Sequence, residues 1–112
     1  MSVRIDNLTP ALVANAATTY FTASANERVL VKSLTFCNDD TVTRTVTVYC
    51  VPSGGTASAT NQVAKAIPIL SSETLDLIQM IGQQTLLGGG TVQALADVAS
   101  KVSITGSVLR LT

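Results

Sequence analysis

Between residues 42 and 51 the chain alternates with a period of two: Val42, Val46, Val48 and Cys50 fall on one parity, Thr43, Thr45, Thr47 and Tyr49 on the other. Successive side chains of an extended strand point to opposite faces, so this pattern describes a strand with one side on a core and the other toward water. Arg44 interrupts the apolar set near the strand's start, where a long side chain can still reach solvent. Residues 27–38 also read as a strand, with Leu30, Leu34 and Phe36 on one parity and Val29 and Val31 on the other. Asn38, Asp39, Asp40 and Thr41 between the two carry short side chains that bond local backbone and suit a turn. Joining the two stretches as a long antiparallel hairpin is the expectation.

Further strands are expected at 18–23, 62–70, 74–79, 91–96, 101–105 and 107–111, the last two joined through Gly106. Residues 8–14 are read as another, at an edge or a strand start, because Pro10 bars a central position. Residues 52–61, dense in Gly, Ser and Thr, form a surface loop, and Gly88-Gly89-Gly90 a turn. Residues 80–87 are ambiguous. Sixteen Thr and thirteen Val favour pleated surfaces over helices. With turn signals roughly every ten residues, the expected fold is an all-β antiparallel sandwich, jelly-roll-like, of about eight or nine short strands. A chain of 112 residues suits a single domain, 1–112, with a short N-terminal arm over about 1–10.

Charge and composition remove many functions. Seven basic residues balance seven acidic ones, which argues against nucleic acid and anionic membranes as partners, because both need a surplus of clustered Lys and Arg. No His is present, which takes away the commonest general base and metal ligand. No apolar run approaches the ~18 residues of a membrane span, and the start lacks the layout of a signal peptide. In the hairpin register Cys37 and Cys50 sit several residues apart, beyond the ~7 Å a disulfide tolerates, so both are expected as reduced, buried thiols. Gly90 is followed by Thr91-Val92 rather than the Lys-Ser/Thr of a phosphate loop. Asp39 and Asp40 are too few oxygens for calcium. Glu27, Glu73, Asp76 and Asp97 are scattered and lack the aromatic platform of a sugar-cleaving cleft. No catalytic, cofactor-binding or metal-ligating residue is assigned, and no enzyme activity is expected.

The run Val29-Leu30-Val31-Lys32-Ser33-Leu34-Thr35-Phe36-Cys37-Asn38, a short polar turn, then Val46-Thr47-Val48-Tyr49-Cys50-Val51-Pro52-Ser53-Gly54-Gly55 resembles small virion proteins of tailed bacteriophages. Ile81-Gly82 to Leu87-Gly88-Gly89-Gly90-Thr91-Val92-Gln93-Ala94 is similar to their closing stem, Gly turn and strand of small residues, and the likeness spans about residues 19–111. The resemblance implies a β-sandwich accessory subunit, made in the host bacterial cytoplasm and assembled into the virion. The leading expectation is a capsid decoration or cement protein whose partner is the major capsid protein or another virion protein. A tail, neck or fibre accessory is the alternative, and a surface-displayed carbohydrate-binding module resting on Tyr20 and Tyr49 is the second. Apolar residues on both parities of 27–38 call for cover on each side and so for a homo-oligomer. A trimer is the expected form by analogy with other decoration proteins. The 1–10 and 52–61 segments are the expected docking elements.

Overall fold

A computed structural model describes residues 2–112 as two antiparallel sheets packed face to face. Met1, the first residue of the expected arm, lies outside the described residues. The elements in order are β1 (Val3–Asn7), β2 (Ala11–Leu12), β3 (Thr18–Thr22), β4 (Arg28–Asn38), β5 (Arg44–Val51), β6 (Gln62–Ile69), β7 (Thr74–Asp76), α1 (Ile78–Ile81), β8 (Gln84–Leu86), β9 (Thr91–Ala96) and β10 (Val102–Leu111). One sheet runs β1-β10-β4-β7, with β2 also on β10 and β8 also on β4; the other runs β3-β9-β5-β6. Among the described residues ten strands replace the eight or nine expected, because the arm contributes β1 and the ambiguous 80–87 stretch contributes β8, while 101–105 and 107–111 merge into the single β10.

The core between the sheets is aliphatic. Val29, Val31, Leu34 and Phe36 of β4 and Val108 of β10 meet Val46, Val48, Val92 and Ala94 from the opposing sheet, all buried in one cluster. This arrangement overturns the expected β4–β5 hairpin. The ladder positions of β4 are taken by β10 on one side and by β7 and β8 on the other, and β5 pairs instead with β6 and β9. Apolar faces of consecutive strands can be buried by pairing side by side over a third layer or by facing each other across a core. With only two layers available, β4 and β5 face each other.

Asn38 guides the crossing. Its side chain is fully buried and its amide donates to the carbonyls of Val42 and Ile69, both at 2.9 Å, while its Oδ1 accepts from Asp40 N. Val42, placed by parity with the core residues, lies in this connection before β5 begins and is half exposed.

A bulge resolves the mixed parity of β4. Ser107 of β10 pairs with Ser33 while the adjacent Val108 pairs with Val31, leaving Lys32 as the extra residue. Parity therefore reverses at Lys32, and Val29 and Val31 point the same way as Leu34 and Phe36. Lys32 itself is exposed. The strand is one-sided over most of its length, with Leu30 the one leucine left on its outer face.

Gly106 does not separate two strands, as expected for 101–105 and 107–111, but is the middle of one continuous β10, opposite Leu34. A Cβ there would stand 2.4 Å from the Ser33 carbonyl oxygen, so the glycine is needed for close approach of the two strands. The expected arm is also structured: Val3–Asn7 pairs along β10, and Leu8 behind it is buried in the core.

Candidate interaction surface

None of the residues weighed for chemistry joins a reactive cluster. Cys37 lies on β4 opposite Ser103 and Thr74, and Cys50 lies on β5 opposite Val92, in the other sheet. Both thiols are free. The hairpin register is not the reason: the two strands lie in different sheets, and Cys37 shares the outer face of its sheet with Ser33 and Thr35, pointing away from the layer that carries Cys50. Burial pushes the Cys50 thiol up to about 11, which suppresses the thiolate a nucleophile would need.

The carboxylates are each engaged by local backbone. Glu27 accepts from Ser24 N, Glu73 from Leu70 N, Asp76 from Leu34 N and Ile78 N, and Asp97 from Thr45 N. The hydrogen bond from Ser24 N and the Arg110 guanidinium hold Glu27 below the ordinary carboxylate range against the opposing effect of burial. Asp40 is lowered first by its hydrogen bond from Arg44 and then by Thr41 N, and Arg44 also reaches Asp97 at 3.5 Å. Among the described residues no three His, Cys, Asp or Glu side chains gather as a metal site.

Gly88-Gly89-Gly90 forms the expected turn, and it is packed shut. A Cβ on Gly88 would sit 2.0 Å from the Ala25 carbonyl oxygen, and one on Gly89 would strike Ser53. The turn is tied to Ala23 by two backbone hydrogen bonds, so its amides do not form an open anion cradle.

Tyr20 and Tyr49 do not build a stacking platform. Tyr20 packs against the core and its hydroxyl accepts from Ala14 N at 2.8 Å. Tyr49 stands between Gln62 and Gln93 on neighbouring strands. Residues 52–61 form a loop folded on itself, with Asn61 donating to the Thr56 carbonyl and accepting from Ser58 N. Such internal bonding leaves fewer free groups for a partner than the sequence suggests.

The unexplained surface is the outer face of the six-stranded sheet. The register places Ile5 beside Leu109 and Leu109 beside Leu30, and sets Val3 beside Leu111 in the adjoining row. Val108 faces the core, so its neighbours Leu109 and Ser107 face out. Val3 and Ile5 are 61% and 68% exposed. One aliphatic row, Ile5–Leu109–Leu30, thus crosses β1, β10 and β4, and a second, Val3–Leu111, crosses β1 and β10 and meets Arg28 on β4; Leu30, Leu109 and Leu111 are partly exposed. Farther along the same face the residues turn to hydroxyls, with Ser33, Thr35, Thr105 and Ser107 lining a shallow depression of about 380 Å³. Sequence parity hid this division, because the Lys32 bulge moves Leu30 to the outer face while keeping Leu34 inside. The lone Lys in an otherwise apolar run was the available signal.

No family model matches the sequence, and no curated protein matches it either. Solved structures do. A protein of the Bacillus endospore appendages, which form a novel family of disulfide-linked pili, matches with a TM-score of 0.59 at 16% identity over 99% of this chain and 88% of its own. The T13 particle of the virus IBDV contains a chain with a TM-score of 0.48 at 14% identity, covering 96% of this chain and 30% of that one. VP2 of the infectious bursal disease virus subviral particle matches with a TM-score of 0.46 at 13% identity, over 96% of this chain and 32% of that one. The appendage protein shares the sandwich fold, whereas the two viral likenesses are too distant to carry an argument.

Proposed function

We propose that this chain is a non-enzymatic structural subunit of a bacteriophage virion, bound to the head surface as a decoration or cement protein. The observation that carries this reading is the pair of aliphatic rows on the outer sheet face, Val3–Leu111 and Ile5–Leu109–Leu30, exposed at Val3 and Ile5 and partly exposed at the leucines, on a molecule with no net charge. Such a surface is suited to short-range apolar docking, since long-range steering requires an unbalanced field. Weak contacts of this kind become effective when many equivalent sites act together, and a capsid lattice offers the most. The sandwich shared with a pilus protein accords with a part that repeats in an assembly. The virion setting itself draws on the sequence resemblance, with synthesis in the host cytoplasm and the major capsid protein as partner.

The test is to purify particles and locate the chain by electron cryomicroscopy, with its copy number measured against the major capsid protein. Density over the capsid lattice in lattice stoichiometry is expected. Replacing Leu30 and Leu109 together by Gln should abolish co-sedimentation with undecorated heads while the circular dichroism spectrum is kept. Density at the tail, neck or fibres would move the subunit there, and absence from purified particles would end the virion reading.

A further inference from the structure

The strand β1 is an edge that the fold leaves open. Ser2 and Thr112 exchange both backbone hydrogen bonds at 3.0 Å, and Leu8 N donates to the Gly106 carbonyl at 3.0 Å. In an antiparallel ladder, hydrogen-bonded and non-bonded pairs alternate. Arg4 and Asp6 therefore direct their amides and carbonyls to β10, and Val3, Ile5 and Asn7 direct theirs away from the sheet. The Asn7 N–H is met by its own Asp6 Oδ1 at 2.9 Å.

The other edges are guarded. Along β6 the ladder is broken twice, Pro68 removes a donor, and Ala66 at φ 49° turns its N–H to the Thr47 hydroxyl. At β3 the register shifts at Tyr20. On the far side of the six-stranded sheet, β7 and β8 are three residues each and α1 lies between them. Interruption, proline and shortness are the usual protections against edge pairing. By contrast, β1 has five residues in unbroken register with β10, no proline, and two exposed aliphatic side chains.

We infer that β1 pairs antiparallel with β1 of a second copy of this chain about a twofold axis at Ile5. Charge selects this register. An axis at Arg4 would set Arg4 against Arg4 of the second copy, and one at Asp6 would oppose the two Asp6 carboxylates. The axis at Ile5 sets each Arg4 against Asp6 of the second copy, in the non-hydrogen-bonded pairs where side chains come closest. It also places Val3, Ile5 and Asn7, the residues with outward backbone groups, in the hydrogen-bonding positions. Ile5 meets its own copy across the axis, and the two aliphatic outer faces become one continuous surface. The same patch serves both partners, as a twofold interface requires. This inference concerns the free chain and does not depend on attachment to a particle.

Light scattering coupled to size exclusion, from micromolar to several hundred micromolar chain, should show twice the 11.6 kDa mass at the upper end, with the Val3 and Ile5 amides protected from hydrogen exchange. Ile5→Pro removes an N–H that no strand of its own chain uses, and should give a folded monomer with unchanged circular dichroism. Arg4→Glu and Asp6→Lys should each be monomeric alone, while an equimolar mixture should form a heterodimer. In that mixture the carboxylate introduced by the first variant faces the ammonium introduced by the second, and the unaltered Asp6 of the first faces the unaltered Arg4 of the second. Should Ile5→Pro unfold the chain, the mixing experiment decides. A native monomer throughout the range, a trimer, or a dimer that survives the separate charge reversals would overturn the proposal.

Discussion

Asn38 shows how much of the architecture can rest on one side chain. Its buried amide serves the Val42, Ile69 and Leu70 carbonyls, the last at 3.3 Å, and its oxygen accepts from Asp40 N. Asn38→Ala strands these groups in a dry interior, where each unmet partner costs ~1–3 kcal/mol, so a loss of about 3 kcal/mol in urea unfolding is expected. The turn chemistry of Asn38 was legible in the sequence; its bonds to Ile69 and Leu70 were not, because they join segments that only the folded sandwich brings together. Cys50 yields a second expectation. With burial pushing its thiol to about 11, alkylation at pH 8 should be on the order of a hundred times slower in the native chain than in denaturant, where the thiol titrates normally. Intact-mass kinetics will measure it.

Among the elements, β10 is the most tightly constrained. Gly106→Ala would force a methyl group to 2.4 Å from the Ser33 carbonyl oxygen, and a clash with backbone of a paired strand leaves little room to yield. A destabilisation of about 3 kcal/mol is expected from overpacking of this kind, measured as a shift of the urea midpoint. Reading Gly106 as the join between two strands followed from its lack of a side chain, the same property that here permits two strands to approach. The strands themselves were legible because alternation is set by the chain's own geometry, as in Val46, Val48 and their Thr neighbours. Their pairing was less so. Adjacency in sequence favours a β4–β5 hairpin, and the opposite outcome depends on the size of the sandwich and on partners as distant as Val108. The uncovered aliphatic face was only half legible, since the bulge at Lys32 changes which leucines belong to it.

At the scale of the whole molecule, Arg110 links the layers. Its guanidinium lies 4.8 Å from the centre of the Phe21 ring in the opposing sheet, donates to Glu27, and approaches Asp6 at 3.3 Å through Nε. Glu27 is held below its ordinary value in the folded chain by Ser24 N and Arg110. It binds a proton more readily when unfolded, so its contribution is complete above the ordinary carboxylate range and is lost as pH falls through the depressed value. Calorimetry should find the thermal midpoint level near neutrality and falling below about pH 4.5, and Glu27→Gln should make that acid decline shallower. The position of β10 has a further consequence for the chain as it is made. This strand is the middle of its sheet, between β1 and β4, yet it follows every other strand in sequence. A ribosome therefore releases β1 and β4 well before the strand that joins them, and the sheet can close only once residues 102–111 have emerged. Closure of this sheet therefore waits for its last strand and falls toward the slow end of the millisecond-to-second range for β topologies, and chains cut short before Val102 would leave two apolar strands open to aggregation.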